Sequence, residues 1–157
     1  MSNTQKGDTY MAVMTFAAID IGSYEVSMKI FELSKRIGFR ELNDVRCSLE
    51  LGKGAYAQGK IDTEMLDVLC EVLNDFKRMM QDFGVQEYRV CGTSAFRELA
   101  SPLIVIEQIY RRTGLKIEIL SNAEQHFLGY KSIAAIEKGF KKMIQKGTAI
   151  LDVGGGS

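Results

Sequence analysis

Several features that commonly steer a protein towards a partner or a compartment are scarce in this chain. Lysine plus arginine and aspartate plus glutamate balance at 20 each. No global field therefore draws the chain to nucleic acid or to an anionic membrane, and any anion site must be built locally. No apolar run approaches the ~20 residues of a membrane-spanning helix. The stretch from Met1 to Tyr10 is polar rather than the core of a signal peptide, so a cytoplasmic protein is expected. Cysteine is sparse and odd in number: Cys47, Cys70 and Cys91 share no metal-like spacing and suit reduced thiols. The single histidine, His126, has no cysteine or second histidine placed to share a metal, and reads as a helix side chain. Proline occurs once, at Pro102.

What is present is an ordinary globular composition. The chain has 157 residues, 46% of them apolar, enough for one core of ordinary size. Residues 15–21, 26–32 and 39–51 are β-branched, aromatic or alternating in polarity, and read as three strands joined by tight connections. Residues 52–60 hold three glycines without periodicity and read as a loop. Leu66, Leu69, Leu73, Phe76, Met80 and Phe83 then recur at steps of three and four, the pattern of a helix with one buried face. Asp62 suits its N-cap, Ile61 and Leu66 can staple around it, and Gly84 fits its stop. A strand over 87–93 precedes a second helix that Ser101 and Pro102 open and Gly114 closes. A strand over 116–120 and a third helix from Ser121 to about Glu137 follow. Residues 138–146 are lysine-rich and read as a solvated linker whose basic edge could assist a polyanion, and 148–153 read as a last strand. The methionines read as core filler.

The order βββαβαβα, followed by β, predicts an α/β fold: a mixed sheet flanked by helices in the ribonuclease H-like layout. The expected organisation is a disordered tail over 1–11, one such domain over 12–147, and the start of a second over 148–157.

Two segments share a pattern, Asp20-Ile21-Gly22-Ser23 and Asp152-Val153-Gly154-Gly155, each an acid at a strand end followed by glycine. Glycine lets the backbone turn sharply and approach a ligand, so that successive N–H groups can hold phosphate oxygens. An aspartate beside such a nest can hold Mg²⁺ directly or through water. Either segment alone could be an ordinary turn; the pair favours phosphate.

The resemblance then becomes specific. Ala17-Ala18-Ile19-Asp20-Ile21-Gly22-Ser23, Thr93-Ser94-Ala95-Phe96-Arg97-Glu98, Ile119-Leu120-Ser121-Asn122-Ala123-Glu124-Gln125 and Asp152-Val153-Gly154-Gly155-Gly156-Ser157 resemble four ordered signatures of the exopolyphosphatase / guanosine pentaphosphate phosphohydrolase family. That family is similar to actin, sugar kinases and heat-shock chaperone ATPases, with two ribonuclease H-like domains closing over a phosphate chain. Its Asp152-type motif begins the second domain, so this chain is expected to end a few residues into it and to be poorly active alone. The resemblance implies release of terminal phosphate from polyphosphate or guanosine pentaphosphate, with Mg²⁺ as cofactor. The implied partner is the polyphosphate or guanine nucleotide rather than nucleic acid or membrane, and the full-length form is expected to be a homodimer.

Residue by residue, the resemblance implies that Gly22 and Ser23 form a first phosphate loop and Gly154, Gly155, Gly156 and Ser157 a second, with Ser94 a further binding residue. Arg97 would grip phosphate through its planar fork. Asp152, supported by Asp20, would place Mg²⁺, and Glu124 would be the general base for the attacking water. The chain departs from the family at Tyr24-Glu25, where Asn-Ser is usual, and at Ser27, where a basic residue is common. Glu25 puts a negative charge near an anionic substrate unless its side chain points away, as strand alternation allows.

Plainer readings stand beside these. Arg97 also suits a solvated helix end, and Glu124, three residues after Ser121, also fits a capping box. Cys91 and Arg97 have the Cys-x5-Arg spacing of cysteine-dependent phosphatases, although Val90 stands where those enzymes carry histidine. A domain that binds nucleotide or polyphosphate without hydrolysing it is a further alternative.

Overall fold

The computed structural model describes residues 13–35, 38–145, 147–151 and 154. Strands β1 (Met14–Ile21), β2 (Glu25–Ser34) and β3 (Gly38–Ser48) form an antiparallel meander. Helices α1 (Leu51–Gln58) and α2 (Thr63–Asp82) lead to β4 (Glu87–Gly92), which pairs in parallel with β1. A short turn of helix, α3 (Ser94–Arg97), and α4 (Pro102–Thr113) then lead to β5 (Ile117–Ile119), parallel to β4. Helices α5 (Asn122–Ile136) and α6 (Phe140–Ile144) follow. The sheet order is β3-β2-β1-β4-β5, the ribonuclease H-like arrangement expected from the order of elements.

Strand alternation decides which side of the sheet is core. Ala17, Ile19 and Ile21 of β1 and Val26, Met28 and Ile30 of β2 all point to one buried face. Over that face lies the stripe of α2, in which Leu66, Leu69, Leu73, Phe76 and Met80 are buried, together with Ile109 of α4. Each large side chain so buried contributes about 1.5–3 kcal/mol, which makes α2 a principal anchor of the domain. The opposite face carries Asp20, Ser27 and Cys91 in one row, because Asp20 is registered against Ser27 on β2 and against Cys91 on β4.

The expected caps are present. The Asp62 carboxylate accepts from Met65 N at 2.7 Å, Pro102 occupies the first turn of α4, and Gly84 and Gly114 take φ of +61° and +74° at the two helix ends.

Three expectations from sequence are corrected. Residues 52–60, expected as a loop, contain most of α1: Leu51, Gly52 and Ala55 share its buried side, and Gly59 closes it in a left-handed conformation. Its glycines are points of close approach. A Cβ at Gly52 would sit 2.8 Å from the Tyr56 ring and 2.9 Å from Ser23 Cβ, and one at Gly54 would sit 2.7 Å from the Lys60 carbonyl oxygen. The lysine-rich linker contains α6, which forms because Phe140 is buried against Tyr130, with ring centroids 5.1 Å apart. Finally, residues 148–151 join no sheet ladder, and Leu151 is 89% exposed. A strand is defined by its neighbour's hydrogen bonds, and among the described residues no strand of the sheet pairs with these. Residues 152 and 153, and the expected tail over 1–11, lie outside the described residues.

Helix α5 buries none of its residues, and Phe127 and Ile136 are 56% and 70% exposed. No described helix is long and apolar enough to cross a membrane. The cysteines are free thiols; Met28 and Met80 are core residues as expected, whereas Met14 and Met143 are exposed.

Candidate functional site

A pocket of about 620 Å³ opens on the uncovered face of the sheet, where β1 and β4 end side by side. Strand ends of this kind, beside a change of strand direction, are where open α/β sheets bind ligands. The pocket brings together Asp20, Gly22, Ser23, Ser94 and Gly154 of the residues singled out from sequence. Asp152, Gly155, Gly156 and Ser157 lie outside the described residues.

The β1–β2 turn forms the floor. Gly22 N donates to Glu25 O at 2.9 Å, and a Cβ at Gly22 would sit 3.0 Å from that same oxygen, so the turn closes tightly only with glycine there. Ser23 is buried, and its Oγ lies 2.6 Å from Ser94 Oγ and 2.8 Å from the Tyr56 hydroxyl. Gly52 N, at the start of α1, donates to Ser23 O at 2.7 Å. Thr93 donates to Ile21 O through both its N and its Oγ1, latching the start of α3 to the end of β1. Three elements thus fix two hydroxyls at the pocket, and no buried side-chain polar atom among the described residues lacks a partner.

Charge is arranged on the β2–β3 side. Glu25 lines the pocket, as its alternation with the buried Val26 requires, but its carboxylate is paired with Arg46 at 3.7 Å. Lys29, also at the pocket, is held by Glu41 at 2.8 Å and Asp44 at 2.9 Å. The Arg46 guanidinium, and next the Lys29 ammonium, push Asp44 down to about 2. The negative side chain that departs from the family pattern therefore sits inside an ionic network, in which Lys29 and Arg46 face Glu25, Glu41 and Asp44.

Arg97 and Glu124 stand differently from the pocket residues. Arg97 Nη1 donates to Leu120 O at 2.7 Å and to Gln125 Oε1 at 3.1 Å, joining α3 to the start of α5; of these groups Leu120 and Gln125 line the pocket. Glu124 completes a capping box with Ser121. Its Oε2 accepts from Ser121 N at 2.9 Å and from Ser121 Oγ at 2.7 Å, and these bonds hold the carboxyl below the usual range. Both bonds fall on Oε2, so the carboxylate is oriented while Oε1 takes no hydrogen bond from the described residues.

Cys91 lines the pocket, but burial pushes its thiol up, opposite to the depressed thiol a cysteine phosphatase needs, and Arg97 is engaged elsewhere. No cluster of three or more His, Cys, Asp or Glu among the described residues could hold a metal. Asp20 at the pocket is nonetheless a hard oxygen donor of the type Mg²⁺ uses when one or two carboxylates act together with substrate phosphates. Reading the sequence missed Tyr56, Lys29 and Gln125. Tyr56 lies four residues after Gly52, a helical spacing hidden by the glycines, and Gln125 ends a motif in which only Glu124 attracted a role.

The mixed sheet with a glycine turn and hydroxyls at its β1–β4 edge defines an α/β domain of the ribonuclease H-like class. The crystal structure of the Aquifex aeolicus member of the Ppx/GppA family is similar to it, with a TM-score of 0.75 and 24% identity over 81% of this chain and 41% of that one. A sequence profile of the Ppx/GppA phosphatase family matches residues 31–157, and the chain belongs to that family. Among curated relatives, exopolyphosphatase 1 of Mycobacterium leprae is 23% identical over 92% of this chain and 41% of its own length. The guanosine-5'-triphosphate,3'-diphosphate pyrophosphatase of Vibrio parahaemolyticus is 23% identical over 90% of this chain and 27% of its own. The chain thus spans less than half the length of these relatives.

Proposed function

We propose that this chain supplies the phosphate-binding part of a phosphohydrolase that releases terminal phosphate from polyphosphate or guanosine pentaphosphate. The observation that carries the reading is the Gly22 turn with the Ser23 and Ser94 hydroxyls, set beside Asp20 in one pocket. Hydroxyl and backbone donors suit phosphate oxygens, and phosphoryl transfer depends on positioning and charge stabilisation more than on covalent chemistry. Gly154, Gly155, Gly156 and Ser157 complete the phosphate cradle. Arg97 orders that side and contributes its fork to the substrate. Glu124, aimed by Ser121, takes the proton of the attacking water on Oε1. Asp20 and Asp152 would hold Mg²⁺, which supplies charge neutralisation at the transferring phosphate when bound.

Membership in the Ppx/GppA family and the names of the relatives support the substrate class. The cytoplasm suits the three free thiols, and a homodimer of the longer form is the assembly we propose. The chain spans less than half the length of these relatives, and we propose that by itself it turns over slowly.

The test is phosphate release from polyphosphate and from guanosine pentaphosphate, with Mg²⁺ and with EDTA, by this chain and by a full-length member containing it. Release by the full-length form that EDTA abolishes is expected. Its absence with both substrates would overturn the reading. A second reading, binding without hydrolysis, is favoured by the engagement of both Arg97 and Glu124 in protein hydrogen bonds. Tight binding of either substrate with no release would establish it.

A further inference from the structure

We infer that Tyr56 is a positioning residue for the phosphate site, acting from behind the pocket through the hydroxyl of Ser23. The inference rests on the phosphate reading above. Tyr56 is 46% exposed on α1 and is not part of the pocket wall, yet its hydroxyl turns inward to lie 2.8 Å from the buried Ser23 Oγ. An exposed tyrosine ordinarily presents its hydroxyl to water. Here the backbone is shaped for the opposite outcome: Gly52 leaves room for the ring, since a Cβ there would meet both Tyr56 Cε2 and Ser23 Cβ within 3 Å. The same residue fastens α1 to the β1–β2 turn through its N–H to Ser23 O at 2.7 Å.

Proton counting shows what the third hydroxyl does. Each hydroxyl has one proton and two acceptor lone pairs. Tyr56, Ser23 and Ser94 form a line with Ser23 at its centre, 2.8 Å and 2.6 Å from its neighbours. Either oxygen of the Tyr56–Ser23 pair can donate; a phenolic O–H is a stronger donor than an alkyl one, and in the arrangement we infer Tyr56 donates to Ser23. The remaining proton of the line is then delivered at the pocket end, by Ser23 or by Ser94, both of which line it. A donor that itself accepts a hydrogen bond is strengthened. Tyr56 therefore fixes the Ser23 rotamer and sharpens the O–H that meets a phosphate oxygen, without touching the ligand.

The test is calorimetric titration of tripolyphosphate, in Mg²⁺ buffer, into the whole chain and into Tyr56→Phe, Ser23→Ala and the double variant, with thermal midpoints for each. Tyr56→Phe keeps the ring over Gly52 and should weaken binding about 3- to 10-fold, the contribution of one hydrogen bond, at an unchanged midpoint. On the Ser23→Ala background the same change should weaken binding no further, because its route is gone. Wild-type affinity in Tyr56→Phe, an equal loss on both backgrounds, or a loss matched by a lower midpoint would overturn the inference alone. Failure of the wild-type chain to bind would instead overturn the phosphate reading, and this inference with it.

Discussion

Arg97 Nη1 donates to Gln125 Oε1 at 3.1 Å, across the gap between α3 and α5. The same nitrogen donates to Leu120 O, so the guanidinium both spans two elements and stands next to two pocket residues. Lysine in its place keeps the charge but loses the planar fork. Arg97→Lys should lower stability by about 1 kcal/mol through the weakened bridge. If the side chain also grips substrate, the affinity of a full-length form for polyphosphate should fall about tenfold. Reduced thermal stability with an unchanged Michaelis constant would leave Arg97 a purely structural bridge.

Glu124 invites a pair of substitutions. Glutamine serves the capping box about as well as glutamate but cannot act as a base. In a full-length form Glu124→Gln should keep the thermal midpoint while phosphate release falls by about 10²-fold to 10⁴-fold. Near-normal turnover would remove Glu124 from the chemistry.

Ser121→Ala probes the same carboxylate through pH. The Ser121 hydroxyl is the first cause holding Glu124 below its usual range. Hydrogen bonds to the charged form lower the pKa, so removing this one should raise it. The acid limb of the pH–rate profile in a full-length form should move to higher pH, with a loss of about 1 kcal/mol from the missing N-cap. An acid limb that stays in place would mean that another group sets it.

The glycines of α1 and α5 should respond in opposite directions to alanine. At Gly52 the added Cβ enters the Tyr56 ring and Ser23, and Gly52→Ala should destabilise the chain by about 1–3 kcal/mol and weaken tripolyphosphate binding. At Gly129, inside α5, nothing lies within 4 Å of the added Cβ, and Gly129→Ala should stabilise by up to about 1 kcal/mol. Thermal melts of both variants decide the matter; equal effects would contradict the packing.

The charge network of β2 and β3 makes stability depend on pH in a defined window. Asp44 is depressed from 3.8 to about 2, so its contribution is present above the unfolded value and is lost as pH falls through the folded one. The thermal midpoint of the wild-type chain should therefore approach that of Asp44→Asn between about pH 4 and pH 2. The effect should be small and reduced by salt, because the group is exposed. Parallel curves over that window would exclude Asp44 as its source.

What could be read in advance follows from the range of the forces involved. The α2 stripe, the Asp62 cap and the Ser121–Glu124 box depend on residues within a turn or two of one another and appear where the pattern placed them, except that Phe83, expected on the buried stripe, is the C-cap of α2 and is 40% exposed. The strand alternation that buries Ile19 and Val26 was legible, but it left room for Glu25 to point away from the site, whereas Glu25 lines the pocket. By contrast, Gly52 of α1 packs against Ser23 across 29 positions of sequence, counting from 23 to 52, a relationship local composition does not display. Tyr56 was missed for the same reason. Helix α6 was masked by lysines around the one buried side chain, Phe140, that organises it. At the site, the glycine turns and hydroxyls stood out as motifs, whereas the Arg97–Gln125 bridge required knowing which ends of α3 and α5 meet.

Helix α5 begins with a complete capping box yet buries no residue. Beyond the Arg97–Gln125 bond and the Tyr130–Phe140 ring contact its order comes from backbone hydrogen bonds and its cap, while β1 and β2 are locked into the core by Ile19, Ile21, Met28 and Ile30. Helices that lack tertiary packing are marginal in water, so the amides of α5 should exchange with deuterium through local opening, well before those of β1 and β2. The wall of the pocket that carries Gln125, Leu128 and Gly129 would then be adjustable, set against a floor of Gly22 and Ser23 that is anchored between the two buried strands.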